Sequence, residues 1–175
     1  MWKTRLQKKK ADPKKVEIWD ACAALGMACG FVGGFYDARR YYERAKEEYE
    51  EQLGHESEKA LDATYSLTMS TGMSDGEIIE KLRDLLKTME RVLGEENVVT
   101  LETLNSLGCR LRTNGQFEEA KEVLERCLAE KMTVIGEDHK DTFASLANLG
   151  TVYVGLKNYE KALEYYERAF RRRGC

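Results

Sequence analysis

The chain repeats itself at a long period, and that restricts its fold more than any other feature. The segment from Leu101, LETLNSLGCRLRTNGQFEEAKEVLERCLAEKMTVIG, aligns with the segment from Phe143, FASLANLGTVYVGLKNYEKALEYYERAFRRRG, at an offset of 42 residues. Leu107-Gly108 falls on Leu149-Gly150, Phe117 on Tyr159, Ala120 on Ala162 and Leu124 on Tyr166. An earlier copy places Leu25-Gly26, Phe35, Ala38 and Tyr42 on the same positions at an offset of 82. A weaker copy between them carries Leu67-Thr68, Ile78, Leu82 and Leu85, and needs two residues deleted near Gly72–Gly76. A deletion there falls in a turn, where it is tolerated; inside a helix it would rotate the buried face away. Periods of 20–50 residues mark stacked supersecondary units, each unable to cover its own apolar side.

Within a unit the apolar residues follow helical spacing: Leu104, Leu107 and Leu111, then Phe117, Ala120, Leu124 and Leu128. Each unit therefore reads as two helices. The spacing predicts helices near 13–31, 35–53, 57–71, 75–93, 98–113, 116–135, 139–156 and 159–173. Leu53-Gly54, Leu93-Gly94 and Ile135-Gly136 close units, with glycine taking the left-handed conformation that ends a helix. Asp12 before Pro13, the capping box Ser74-Asp75-Gly76-Glu77, Asp138 and Asn158 supply helix starts. Gly26, Gly108 and Gly150 lie inside first helices, where glycine costs about 1 kcal/mol relative to alanine. Close packing against second helices, at Ala38, Ala120 and Ala162, is the expected return, with Phe35/Phe117/Tyr159 and Tyr42/Leu124/Tyr166 filling the space around it. One tyrosine of each pair, Tyr41-Tyr42 and Tyr165-Tyr166, should point inward. The architecture expected is all-α: a right-handed superhelical solenoid of about four antiparallel helix pairs. Its units are about 13–54, 55–94, 95–136 and 137–173, after a basic, flexible segment 1–12.

Composition narrows the function. The net charge of −3 hides an asymmetry: residues 1–15 carry +6, leaving −9 for the rest. An acidic body disfavours nucleic acid, which needs a basic surface against its phosphates. The basic start could meet RNA, an acidic partner or anionic lipid, or be a solvated terminus. Five scattered cysteines, Cys22, Cys29, Cys109, Cys127 and Cys175, do not make a disulfide framework. On one helix Cys22 and Cys29 would lie about 10.5 Å apart, too far for a disulfide or a shared zinc ion. Buried thiols in a reducing, cytoplasmic setting account for them. No long apolar run suggests membrane insertion, and no signal peptide is apparent.

These residues resemble the tetratricopeptide repeat, in the 42-residue variety of kinesin light chains and nephrocystin-like proteins. That variety carries V-L-G-x-x-H-P-x-T-L, then N-L-A/G, then G-x-Y-x-E-A. Here it stands as Val92-Leu93-Gly94-Glu95-Glu96-Asn97-Val98-Val99-Thr100-Leu101, Leu107-Gly108 and Gly115-Gln116-Phe117-Glu118-Glu119-Ala120, then again as Val134-Ile135-Gly136-Glu137-Asp138-His139-Lys140-Asp141-Thr142-Phe143 and Asn148-Leu149-Gly150. The motif's proline is Val98 in one copy and Lys140 in the other. The resemblance covers about residues 16–173 and implies first helices lining a concave groove that takes a peptide or partner helix.

The resemblance places Asp20, Asp62, Glu102 and Ala144 at one groove position. Three acids in register would favour a basic segment; they are equally suited to helix starts, where the dipole favours acids. A second column is Ala24, Ser66, Ser106 and Asn148; asparagine there bonds a bound peptide's backbone in the family, and only Asn148 keeps it. A third is Met27, Met69, Cys109 and Thr151, and Tyr65, Phe31 and Arg112 join the lining. No catalytic, cofactor or metal residues are assigned: His55 and His139 stand in inter-unit turns without a nucleophile at a telling spacing. The expected function is protein binding by an adaptor, or alternatively a permanent place in a larger assembly through the outer face and the solenoid ends, including an exposed C-terminal end.

Overall fold

The computed structural model describes residues 17, 20–25 and 35–170, with side chains at 17, 20–25 and 38–170. The expectations for Pro13, Gly26, Met27, Phe31, the Phe35 side chain, Cys29, the basic start and the last arginines lie outside these residues. After helical residues 20–25, the order is α1 (Phe35–Leu53), α2 (Glu58–Met69), α3 (Asp75–Val92), α4 (Val98–Thr113), α5 (Phe117–Val134), α6 (Lys140–Gly155) and α7 (Tyr159–Phe170). No strand occurs among the described residues. The chain divides into two units, Met1–Thr71 and Gly72–Cys175.

The helix limits follow from local chemistry. Gly54, Gly94 and Gly136 take φ of 97°, 92° and 88° at the three unit ends. Ser74 and Glu77 form the full capping box at α3. Asn97 caps α4, and Asn158 accepts from Lys161 N at 3.2 Å at the start of α7. The cap of α6 is His139 rather than Asp138: the helix begins at Lys140, so His139 holds the position Asn97 holds one repeat earlier, and its Nδ1 accepts from Asp141 N at 3.2 Å. The turn inside the α4–α5 pair uses Gly115 at φ 80°, and the matching turn after α6 uses Lys157 at φ 59°. A side chain in that region costs about 1–2 kcal/mol, partly offset by the extra flexibility glycine brings to the unfolded chain. Lys157→Gly should therefore stabilise the chain by about 0.5–1 kcal/mol. Thermal unfolding checks this, and an unchanged or lowered midpoint would contradict it.

In the second unit each helix packs on the next, and α4 also touches α6, the first helix of the following pair. That skipped contact makes the stack a solenoid of antiparallel pairs. Its core is a row of leucines and their neighbours: Leu82, Met89, Leu111, Leu124, Leu149 and Val152 are fully buried. Each such side chain is worth about 1.5–3 kcal/mol relative to exposure. The first unit packs α1 on α2 around Ala45, Tyr49, Ala60 and Ala63, with Cys22 and Ala23 against them.

Helical glycines sit where close approach is needed. A Cβ on Gly108 would lie 2.5 Å from Leu124 Cγ, and one on Gly150 2.7 Å from the Tyr166 ring. Ala38, Ala120 and Ala162 are all buried, but the nearest neighbour of Gly108 and of Gly150 is the large residue one turn beyond the alanine, Leu124 and Tyr166. Phe117 reaches across to the next pair, where a Cβ on Gly155 would lie 2.3 Å from its ring. Tyr159, its counterpart one repeat later, does not fill a core; it is 65% exposed, because no described helix stands where α6 stands for Phe117. Tyr42 is buried and Tyr41 half-buried, as expected. Tyr165 and Tyr166 are both engaged instead: Tyr165 stacks on Tyr153 at 5.3 Å, while Tyr166 covers Gly150 and its hydroxyl lies 3.1 Å from Thr151 Oγ1. The larger Tyr153 ring on α6 gives Tyr165 a partner.

Candidate partner-binding surface

The first-helix positions named by the repeat come together in each unit. In the first unit Asp20 and Ala24 face Asp62 and Ser66 across a cleft of about 250 Å³, with Tyr42, Tyr49 and Lys59 in its walls. Asp20 is already occupied. Lys59 Nζ donates to both its carboxylate oxygens, at 2.5 and 2.6 Å, and the Tyr49 hydroxyl donates at 2.7 Å. Partial burial pushes the Asp20 carboxyl up, but those hydrogen bonds and the Lys59 charge outweigh it and hold it below the usual carboxylate range. The matching effect on the Tyr49 hydroxyl is upward, from burial and from the Asp20 carboxylate.

Asp62 differs. It presents surface to solvent, yet protein surrounds its remaining sides; that burial, with the Glu58 carboxylate nearby, pushes its carboxyl up. Of the two acids in this cleft, Asp20 is internally neutralised, while Asp62 remains exposed. Tyr65 and Met69 are half-buried on α2.

In the second unit the face of α4 carries Glu102, Asn105, Cys109 and Arg112 at helical spacing, and α6 adds Asn148 and Thr151. Asn148 Nδ2 donates to Asn105 Oδ1 at 3.3 Å, tying two consecutive first helices. Ser145, fully buried between them, lies 3.4 Å from the same Asn105 oxygen and 3.1 Å from Asp141 O. Arg112 keeps its buried Nε without a hydrogen-bond partner. One residue here was not singled out from the sequence: Lys131 on α5 is 5% exposed and brings its ammonium to Ser145 Oγ, 3.2 Å away. The signal was available. Lys131 holds the repeat position of Tyr49 and Met89, and one charge in an otherwise uncharged buried column is an anomaly.

The opposite side of this unit is self-satisfied. A depression of about 400 Å³ is lined by Glu118, Lys121, Glu125, Tyr153 and Lys161. Lys121 pairs with Glu118 at 2.7 Å, and the Tyr153 hydroxyl donates to Glu125 at 2.7 Å. Arginines also bridge successive pairs: Arg126 meets Glu95 at 3.2 Å, and Arg168 meets Glu137 at 3.7 Å one repeat on. Exposed pairs of this kind contribute about 0–1 kcal/mol each. Among the described residues, no cluster of three or more His, Cys, Asp or Glu is placed to hold a metal ion. None of the described helices is long and apolar enough to cross a membrane.

Comparison with known proteins agrees with this geometry. Residues 100–141 and 130–173 each match a tetratricopeptide repeat profile. The chain is 34% identical over 80 residues to a clustered mitochondria protein homolog of Danio rerio, covering 46% of this chain and 6% of that protein. It is 35% identical over 99 residues to nephrocystin-3 of Mus musculus, covering 56% and 8%. The chain thus spans under a tenth of the length of these relatives. Among solved structures it is similar to a Podosopora anserina putative kinesin light chain with nearly identical TPR-like repeats, at TM-score 0.75, 20% identity, and coverage of 88% of this chain and 74% of that one. It is also similar to BtubC (BKLC) from P. vanneervenii, at TM-score 0.73, 24% identity, and coverage of 94% and 66%. The spacing, the glycine-closed helix pairs and these matches together give the chain a tetratricopeptide-type helical-repeat fold, with the repeat family's profiles matched over residues 100–173.

Proposed function

We propose that the chain is a binding protein rather than an enzyme, and that it holds an extended segment of a partner protein on the face of its first helices. The observation that carries this reading is where unmet polar groups lie. On the outer side of the second unit the charges pair with one another, whereas on the first-helix face the buried Arg112 Nε lacks a hydrogen-bond partner. Side-chain amides and guanidinium groups set along a solenoid's inner helices are suited to a peptide's backbone and side chains. Asp62 in the first unit's cleft is suited by itself to a basic side chain.

A second reading, a fixed subunit of a larger assembly, is favoured by the apolar side of α7. Tyr159, Leu163 and Phe170 are 65%, 60% and 61% exposed. Exposed aromatic and aliphatic groups in one place mark association surfaces.

Capture of partners from cell extract by the immobilised chain separates the two. The double variant Asp62→Lys/Asn148→Ala should reduce the principal captured protein about tenfold, as expected for two lost polar contacts of roughly 1 kcal/mol or less each. Leu163→Glu should leave it unchanged. The reverse pattern would assign the association to α7.

A further inference from the structure

We infer that a second copy of this chain docks on α7, its helix at residues 20–25 lying against Tyr159 and Leu163 as α6 lies against α5; this rests on the reading of α7 as an association surface. Inside the chain, a second helix and the first helix of the next pair meet through the same positions each time. At one end of that seam Asp75 Oδ2 accepts from Thr113 Oγ1 at 2.9 Å, and 42 residues later Phe117 covers Gly155. At its other end Tyr49 and Ala63 share one buried cluster. One repeat on, Thr103 Oγ1 donates to Met89 Sδ at 3.3 Å, and after that Lys131 Nζ donates to Ser145 Oγ at 3.2 Å.

Each half of this seam also occurs once uncovered. On α7, Tyr159 holds the position of Phe117, and Leu163 holds that of Ile79 on α3. Ile79 is 2% exposed, whereas Leu163 is 60% exposed and Tyr159 stands open beside it, one turn away on the same side of the helix. In the first unit, Ala21 holds the position of Ala63, Thr103 and Ser145, all buried, and Leu25 that of the buried Leu107 and Leu149. Here Ala21 is exposed and Leu25 is 48% exposed, again one turn apart. The same chain therefore carries an open second-helix stripe and an open first-helix stripe, and within the repeat each kind covers the other. Two different patches that fit each other on identical molecules make a head-to-tail contact. The groups brought together are apolar, so their burial drives it. The contact continues an interface that the chain already builds between its own helix pairs.

Sedimentation equilibrium of the full chain over about 10–500 μM tests this. The average mass should rise with concentration and pass two chains, at about 0.15 M and about 0.5 M salt alike, because salt does not screen apolar burial. Leu163→Glu and Leu25→Glu, with their melting midpoints kept, should each weaken association at least tenfold. Tyr159→Lys and Ala21→Arg repeat the pair if either variant fails to fold. Mixed in equal amounts, Leu163→Glu and Leu25→Glu should form one-to-one pairs and nothing larger, since the mixture can make only one intact contact. A wild type that stays monomeric overturns the proposal. So does association that disappears in high salt, which would trace to the basic residues 1–15 meeting the acidic remainder. A defect in Leu163→Glu that Leu25→Glu does not share also overturns it, as does a mixture that forms no pairs. If copies stay apart while Leu163→Glu abolishes partner capture from extract, α7 remains an association surface and only the second copy falls.

Discussion

Replacing Gly108 with leucine should lower the chain's stability by about 3 kcal/mol, the upper end of the cost of forcing extra atoms into a packed core. The first added atom is already too many: a Cβ there would lie 2.5 Å from Leu124 Cγ and 2.7 Å from Cδ2, and Leu124 is fully buried. Helix propensity works the other way, returning about 1 kcal/mol when glycine leaves a helix interior. Gly108→Ala should therefore be mild, and the leucine severe. At 2–4 °C per kcal/mol for a chain of this size, the melting midpoint should fall by about 6–12 °C. Adding Leu124→Ala to the leucine variant opens the space its side chain needs, and should recover about half the loss or more. A Gly108→Leu midpoint within error of wild type would remove close helix approach as the reason for these glycines. Gly150 and Tyr166, at 2.7 Å, repeat the arrangement 42 residues later and should respond alike.

The fold was legible because its determinants are local and recur. Glycines at three unit ends, capping side chains at the starts of every helix from α2 to α7 except α5, and apolar residues at helical spacing specify α2 to α7 within two or three residues over the described span. His139 shows the limit. Asp138 is the better cap by residue type, but the register of the repeat, set by the buried Thr142 and Leu146, decides which residue falls at the helix start. The same limit applied to Tyr159. Sequence places it with Phe117, yet Phe117 is covered by Gly155 of the following pair, and a residue's own pattern does not say whether a following pair is present.

The candidate site was legible only as positions. The repeat brought Asp20, Asp62, Ala24 and Ser66 to one cleft, but it could not show that Asp20 is held by Lys59 and Tyr49. Those partners come from other helices, and one of them, Tyr49, reads in sequence as plain core. Lys131 was passed over for the same reason. It stands on a second helix, away from the groove columns, and reaches the α4–α6 seam only through the length of its side chain.

Tyr49 carries the other large expected effect. Its ring is 3% exposed, and around it stand Ala45, Ala60 and Ala63, with Ala23 and Cys22 beside them. Small neighbours cannot close over a lost ring, so Tyr49→Ala should cost about 3–5 kcal/mol, the usual range for a buried aromatic. Better helix propensity restores only about 0.5 kcal/mol of that. Tyr49→Phe keeps the ring and removes only the donor to Asp20, which still has Lys59; it should cost about 1 kcal/mol or less. The two variants also part company with pH. The Asp20 carboxyl is held below its ordinary value in the folded chain, so its bonds contribute above the unfolded carboxylate range and are lost as pH falls through the folded value. Wild type and Tyr49→Phe should therefore converge in acid, while Tyr49→Ala stays far below both. Amide hydrogen exchange in α1 and α2 reads the first unit directly and is the measurement of choice. Equal losses in Tyr49→Ala and Tyr49→Phe would mean that the hydroxyl, rather than the ring among alanines, holds this unit together.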